Sequence, residues 1–264
     1  MVGRVRKRPW KALAAISGAL LIAAGGTGAA AVPGQHRPMA DLPALPIFPI
    51  AERVVVLDPG HNGGGAAHTD EINTQVPDGR GGMKACNTTG TNANDGYTEH
   101  EFNFDVALRM RDLLGQRGIR VVMSRDNDNG VGPCVDERGT LGQRVNAAAV
   151  VSIHADGAPA GAHGFHVAYS SPAVNDSQGE PSSRLATTLR DGLVGAGFTP
   201  STYVGSNGMN PRADLAGLNL AERPAALVEC GNMRDPGDAA ILESPDGRAR
   251  LATALTNAVM AYLG

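Results

Sequence analysis

Apolar positions along the chain follow two rhythms. From Arg53 onward, short unbroken apolar runs alternate with longer stretches in which apolar residues recur every three or four positions. The first rhythm predicts buried strands and the second amphipathic helices. Strands are expected at residues 54–57, 119–123, 148–154, 165–169 and 225–229. Helices are expected at about 99–117, 136–147, 182–194 and 246–263. The first of these carries Phe102, Val106, Met110, Leu113 and Leu114 on one face and stops at Gly118. Strand and helix in alternation imply an α/β fold: one domain over residues 51–264, a twisted, mostly parallel sheet flanked by helices on both faces. No repeat and no second change of composition marks a further domain.

Residues 62–98 break both rhythms, because Gly, Asn, Asp and Thr cluster there with almost no apolar periodicity. An irregular stretch of that length inside a compact domain is usually functional or mobile. Two readings stand open: a lid over a groove, or an ordered extension pinned by a disulfide.

The first thirty residues change the picture of where the chain works. Arg4, Arg6, Lys7, Arg8 and Lys11 precede an apolar run over 13–24, and Ala29 and Ala31 frame an A-x-A cleavage site. This is the layout of a signal peptide over residues 1–31, and it predicts export to the periplasm or cell wall. The run is short for a span of about 20 residues, so no stable membrane span is expected after processing; an uncleaved anchor is the alternative. The proline-rich stretch 32–50 reads as a spacer. Without those five basic residues the chain keeps 18 basic against 26 acidic. That balance excludes binders of nucleic acid or anionic membrane, which need an excess of Lys and Arg. In an exported chain two of the three cysteines can bond. Cys86 and Cys134, both in Gly/Pro/Asn-rich segments, are the expected pair, while Cys230 ends an apolar run and is expected buried and free. All three reduced is the alternative. A monomer is expected by default.

In parallel α/β sheets ligands gather beyond the carboxyl ends of the strands. Three strands end on groups able to hold a metal or move a proton: Asp58-Pro59-Gly60-His61 after the first, His154 after Val150-Val151-Ser152-Ile153, and Glu229 after Ala226-Leu227-Val228. Glu99 opens the first long helix. Two imidazoles and a carboxylate form a recurrent catalytic zinc set, and a second carboxylate beside its water serves as base. Each residue alone has a plainer reading, a loop histidine or a carboxylate at a helix start. Glu229 is the hardest to read plainly, since a carboxylate at a buried strand end costs free energy unless something charged faces it.

Order and context sharpen these signals. The segments Val55-Val56-Leu57-Asp58-Pro59-Gly60-His61, Gly96-Tyr97-Thr98-Glu99-His100-Glu101-Phe102-Asn103, Ser124-Arg125-Asp126, Ser152-Ile153-His154-Ala155-Asp156, Gly164-Phe165 and Pro224-Ala225-Ala226-Leu227-Val228-Glu229-Cys230-Gly231 occur in this order. Together they resemble the zinc-dependent N-acetylmuramoyl-L-alanine amidases of bacterial cell-wall metabolism over essentially all of residues 53–263. The resemblance implies one zinc ion (Zn2+) per chain on His61, Glu99 and His154, with Glu229 as catalytic carboxylate, and peptidoglycan or a muropeptide as substrate. His100 is a rival ligand that the family pattern passes over in favour of Glu99. Asp58 and Arg125 are candidates for orienting ligands or substrate. Two departures stand near the site: Asp156 where the family usually has Asn, and Asn232 after Cys230-Gly231 where Gly-Phe is common after the last Glu. Two rivals remain, a zinc peptidase or carboxypeptidase cutting a stem-peptide bond, and an inactive peptidoglycan-binding protein.

Overall fold

A computed structural model describes residues 53–264. The expected signal peptide and spacer lie outside the described residues. Among the described residues no helix is long and apolar enough to cross a membrane.

The elements run β1 (Val54–Pro59), α1 (Thr69–Ile72), β2 (Gln75–Pro77), β3 (Met83–Ala85), α2 (Glu99–Gly115), β4 (Arg120–Met123), α3 (Val135–Arg144) and β5 (Ala149–Asp156). There follow β6 (His166–Ser170), α4 (Glu180–Gly195), β7 (Met209–Arg212), α5 (Ala216–Asn219), β8 (Ala225–Asn232), α6 (Pro236–Leu242) and α7 (Pro245–Leu263). Six strands form one sheet in the order β4-β1-β5-β8-β6-β7. The four from β4 to β8 are mutually parallel, β6 runs antiparallel to β8, and β7 runs parallel to β6. The expected α/β architecture with a mostly parallel sheet is the one observed.

The apolar runs of β1, β5 and β8 follow from their position: central parallel strands are covered on both faces and cannot alternate with polar residues. The two faces are covered unequally. On one, Val55, Leu57, Val151, Ile153 and Val228 pack under α2, α4 and α7, contributing to the larger core with Phe102, Met110, Leu189 and Leu255. On the other, Val56, Val150, Ala225 and Leu227 meet only a smaller cluster that includes Leu218 and Ala221, with Leu141 and Leu215 packed against it. This second face is roofed by α3 and the single turn α5.

Helix α2 starts at Glu99 because the Glu101 carboxylate reaches back to the Thr98 main-chain N–H (3.4 Å) and hydroxyl (2.7 Å), the capping-box device. It ends at Gly115, slightly short of the expected boundary, and α3 likewise ends at Arg144, before the expected residue 147.

Residues 62–98 form an ordered extension. They contain α1 and the β2–β3 hairpin, neither of which the apolar pattern announces. Cys86 is bonded to Cys134, the expected pair, and Cys230 is buried and free. Main-chain bonds from Cys86 to Thr74 (2.7 Å) and from Asn87 to Ile72 (3.0 Å) close the extension on itself. Arg80 ties the hairpin to the body by donating to Asn219 Oδ1 (3.1 Å) and Ser170 Oγ (3.0 Å).

Candidate metal centre

Strand periodicity sets up the site. Side chains two residues apart share a sheet face, so Asp58 follows Val56, Ser152 and His154 follow Val150, and Glu229 follows Leu227, all onto the thinly covered face. Strand register then aligns Asp58 with Ser152 and His154 with Glu229.

His61 arrives from the turn after β1, with φ at 59°. That left-handed conformation is uncommon outside glycine, and two buried arginines hold it. Arg138 of α3 donates through Nη1 to Asp58 Oδ1 (2.7 Å) and Pro59 O (2.8 Å), through Nη2 to His61 O (3.0 Å), and through Nε to Pro133 O (2.8 Å). Arg125 donates to Pro59 O (2.9 Å), Gly60 O (3.3 Å) and His100 O (2.9 Å), and pairs with Asp128 (2.8 Å). It thereby joins the His61 turn to the start of α2. Asp58 also accepts from Ser124 Oγ (2.6 Å) and Ser152 Oγ (2.7 Å). Burial alone would raise the Asp58 pKa, but the Arg138 charge and the two hydroxyls outweigh it and lower it to about 2. Of the two orienting candidates, Arg125 grips the backbone that leads into His61, and Asp58 anchors Arg138, which does the same. Neither is a surface ion pair.

The ring of His61 is aimed by Thr88. Nδ1 lies 2.8 Å from Thr88 O; a carbonyl can only accept, so Nδ1 carries the hydrogen and Nε2 is left to face Glu99 Oε1 at 3.1 Å. His154 Nδ1 approaches the same oxygen at 2.8 Å. Side-chain exposures are 10 %, 5 % and 15 % for His61, Glu99 and His154, so this convergence occurs largely away from water. One ligand atom from each lies within 4.8 Å of the others. The second Glu99 oxygen accepts from Thr91 N–H (2.9 Å), which fixes the carboxylate plane.

Close approach at two glycines makes room for the three. A Cβ on Gly60 would stand 2.0 Å from the His154 ring, and one on Gly90, at φ +78°, would stand 2.8 Å from Glu99 Oε2 and 2.9 Å from the His61 ring. The donor chemistry fits a divalent cation. A neutral His61 presents a lone pair to a carboxylate oxygen, a repulsive contact unless a proton or a metal ion lies between them. Accordingly, burial pulls the His61 pKa down, but the hydrogen bond and charge of Glu99 more than reverse it and raise it. Glu99, despite a burial effect in the opposite direction, is held well below the usual carboxylate range by the two imidazoles.

Glu229 faces the same space from the neighbouring strand. Its Oε2 is enclosed with no hydrogen-bond partner among the described residues. Burial, then the negative charges of Glu99 and Asp156, push its pKa well above the ordinary value. His100, the rival, is turned away: its Nδ1 is 2.7 Å from Asp128 Oδ2. Asp156, the departure from the family pattern, accepts from Tyr203 OH (3.0 Å) and faces His166 Nε2 (3.3 Å). Sequence reasoning missed Arg138, Thr88, His166 and Tyr203. Only the first had any signal, an arginine on the inward side of a helix. All four metal and acid candidates line one cavity of about 530 Å3 that continues beneath the sheet past Val150 and Leu218.

Residues 55–261 match the family model described as N-acetylmuramoyl-L-alanine amidase. The N-acetylmuramoyl-L-alanine amidase Rv3717 of Mycobacterium tuberculosis is 48 % identical over 214 residues, 81 % of this chain and 88 % of that protein. The crystal structure of the amidase Ami1 from Mycobacterium smegmatis superposes with a TM-score of 0.79 at 51 % identity, covering 81 % of this chain and 98 % of that one. The apo form of Ami1 from Mycobacterium abscessus gives a TM-score of 0.79 at 54 % identity, over 81 % and 100 % of the two chains. With a family match across most of its length and relatives of this similarity, the chain belongs to the N-acetylmuramoyl-L-alanine amidase family.

Proposed function

We propose that the protein is an exported zinc-dependent hydrolase that cleaves the amide between the lactyl group of N-acetylmuramic acid and L-alanine in peptidoglycan. The observation that carries this reading is the meeting of His61 Nε2, Glu99 Oε1 and His154 Nδ1 around one point, beside the unpartnered Oε2 of Glu229. His61, Glu99 and His154 would hold one zinc ion per chain. When bound, zinc supplies Lewis acidity to water and to the scissile carbonyl.

The chain's own residues do the rest. Glu229 takes a proton from the attacking water on Oε2 and returns it to the departing alanine nitrogen. That oxygen is enclosed and has no hydrogen-bond partner among the described residues, so no other group of the chain competes for the proton it carries. Asp58, Arg125 and Arg138 touch no substrate atom in this scheme. They hold the His61 turn and the start of α2 in place, so that the ligand atoms are arranged before zinc arrives.

Zinc analysis of the purified protein, with mass spectrometry of a muramyl-dipeptide digest, tests the reading. One zinc per chain and release of free L-alanyl-isoglutamine are expected. Cleavage after L-alanine would make it a stem-peptide peptidase instead, and binding of peptidoglycan without zinc or peptide release would make it a binding protein.

A further inference from the structure

The cavity lining carries one cation that neither the proposed reaction nor the support of its site uses. Lys84 on β3 lines it. Its ammonium donates to the main-chain oxygen of Asp214 at 3.0 Å and, among the described residues, forms no ion pair. The two acidic groups that feel its charge are engaged elsewhere. Asp78 Oδ1 accepts from the main-chain N–H groups of Arg80 (2.7 Å) and Gly82 (2.9 Å). The Asp214 carboxylate is taken in two-point contact by Arg212, at 2.7 and 2.6 Å. The other cation of the lining, Arg138, is committed to Asp58.

Lys84 is also held in place. The hairpin that carries it is fixed by Arg80 against Asn219 and Ser170 and is followed directly by the Cys86–Cys134 bridge. A half-buried cation with spare donors on a fixed support loses little freedom when it takes an anion.

The substrate named above identifies the anion. In a muropeptide the lactyl carboxyl is consumed in the scissile amide and the N-acetyl sugars are neutral, so the anionic groups lie on the peptide side of the cut. The first of them beyond L-alanine is the α-carboxylate of the second residue, free in D-isoglutamate and absent in D-isoglutamine.

We propose that Lys84 receives the α-carboxylate of the second stem-peptide residue and sets a preference for isoglutamate over isoglutamine. This rests on the amidase reading, and the test separates the two. Steady-state kinetics of the zinc-loaded wild type and of K84M are measured on muramyl-L-alanyl-D-isoglutamate and on the isoglutamine form. The wild type is expected to have a KM about tenfold lower for the acid, as for a hydrogen bond to a charged partner. K84M is expected to lose that preference through the KM for the acid alone, with kcat and zinc content unchanged and K84R restoring much of it. Equal KM values for the two substrates in the wild type, or an equal loss on both in K84M, overturns the proposal. If neither substrate is cut, the amidase reading fails. Calorimetric binding of the two dipeptides to wild type and K84M then decides Lys84 by the same criterion.

Discussion

Arg138→Met removes the clamp on the His61 turn while keeping an apolar stem in its place. The wild-type guanidinium serves Asp58, Pro59, His61 and Pro133 at once. Without it the carboxylate of the buried Asp58 retains two serine hydroxyls and no cation in hydrogen-bond contact. Stripping one partner from a buried ion pair costs about 3–5 kcal/mol, a large share of a domain stability of about 5–15 kcal/mol. Weakening the support of a metal ligand lowers metal affinity by about 10–100-fold. The effect also has a pH signature. The Asp58 pKa is about 2 in the fold against 3.8 as a free side chain, so it contributes about 2 kcal/mol that is fully present above pH 3.8 and lost as pH falls through 2. Loss of Arg138 removes most of that acid-labile contribution. Urea unfolding of metal-free protein between pH 2 and 7, with zinc titration against a competing chelator, measures both quantities. Wild-type zinc affinity in R138M, together with stability within about 1 kcal/mol of wild type, would refute the clamp.

Other outcomes follow from the same geometry. Glu229→Gln is expected to keep zinc and lose about 10²–10⁴-fold in turnover, the range for a general acid–base group; full activity would remove Glu229 from the chemistry. His61→Ala is expected to lose both zinc and activity, and EDTA should abolish wild-type activity with recovery on adding zinc, all read by metal analysis and peptide release. Gly60→Ala, whose Cβ would stand 2.0 Å from the His154 ring, is expected to displace that ring and abolish zinc binding without unfolding the sheet. The main-chain amides of Cys86 and Asn87, bonded to Thr74 and Ile72, are expected to exchange slowly with solvent until the Cys86–Cys134 bridge is reduced; fast exchange with the bridge intact would contradict an ordered extension.

The parts of the fold readable from sequence were those in which one periodicity ran unopposed. β1, β5 and β8 are buried on both faces and show as plain apolar runs, and α2 repeats its apolar face over four turns. β7 is invisible by that criterion. Its residues are Met-Asn-Pro-Arg, and the proline is tolerated because the strand lies at the sheet edge. The hairpin and α5 are too short to show a period, and their order comes from a disulfide and side-chain bonds to distant residues. The site divides in the same way. His61, Glu99, His154 and Glu229 sit at element ends, where polar residues after apolar runs draw notice. Arg138 answers Asp58 from 80 positions away, and no local pattern links the two.

His154 and Glu229 occupy the same rung of adjacent strands. Their main-chain separation is therefore the repeat of the sheet itself, about 4.8 Å, and no loop rearrangement alters it. Only slippage of one strand past the other does so, and a slip of a single residue would turn Glu229 into the oily interior and bring Val228 out in its place. Failure by that route is all-or-none. Graded tuning must come through the parts delivered from outside the sheet, Glu99 on its helix and His61 on its turn.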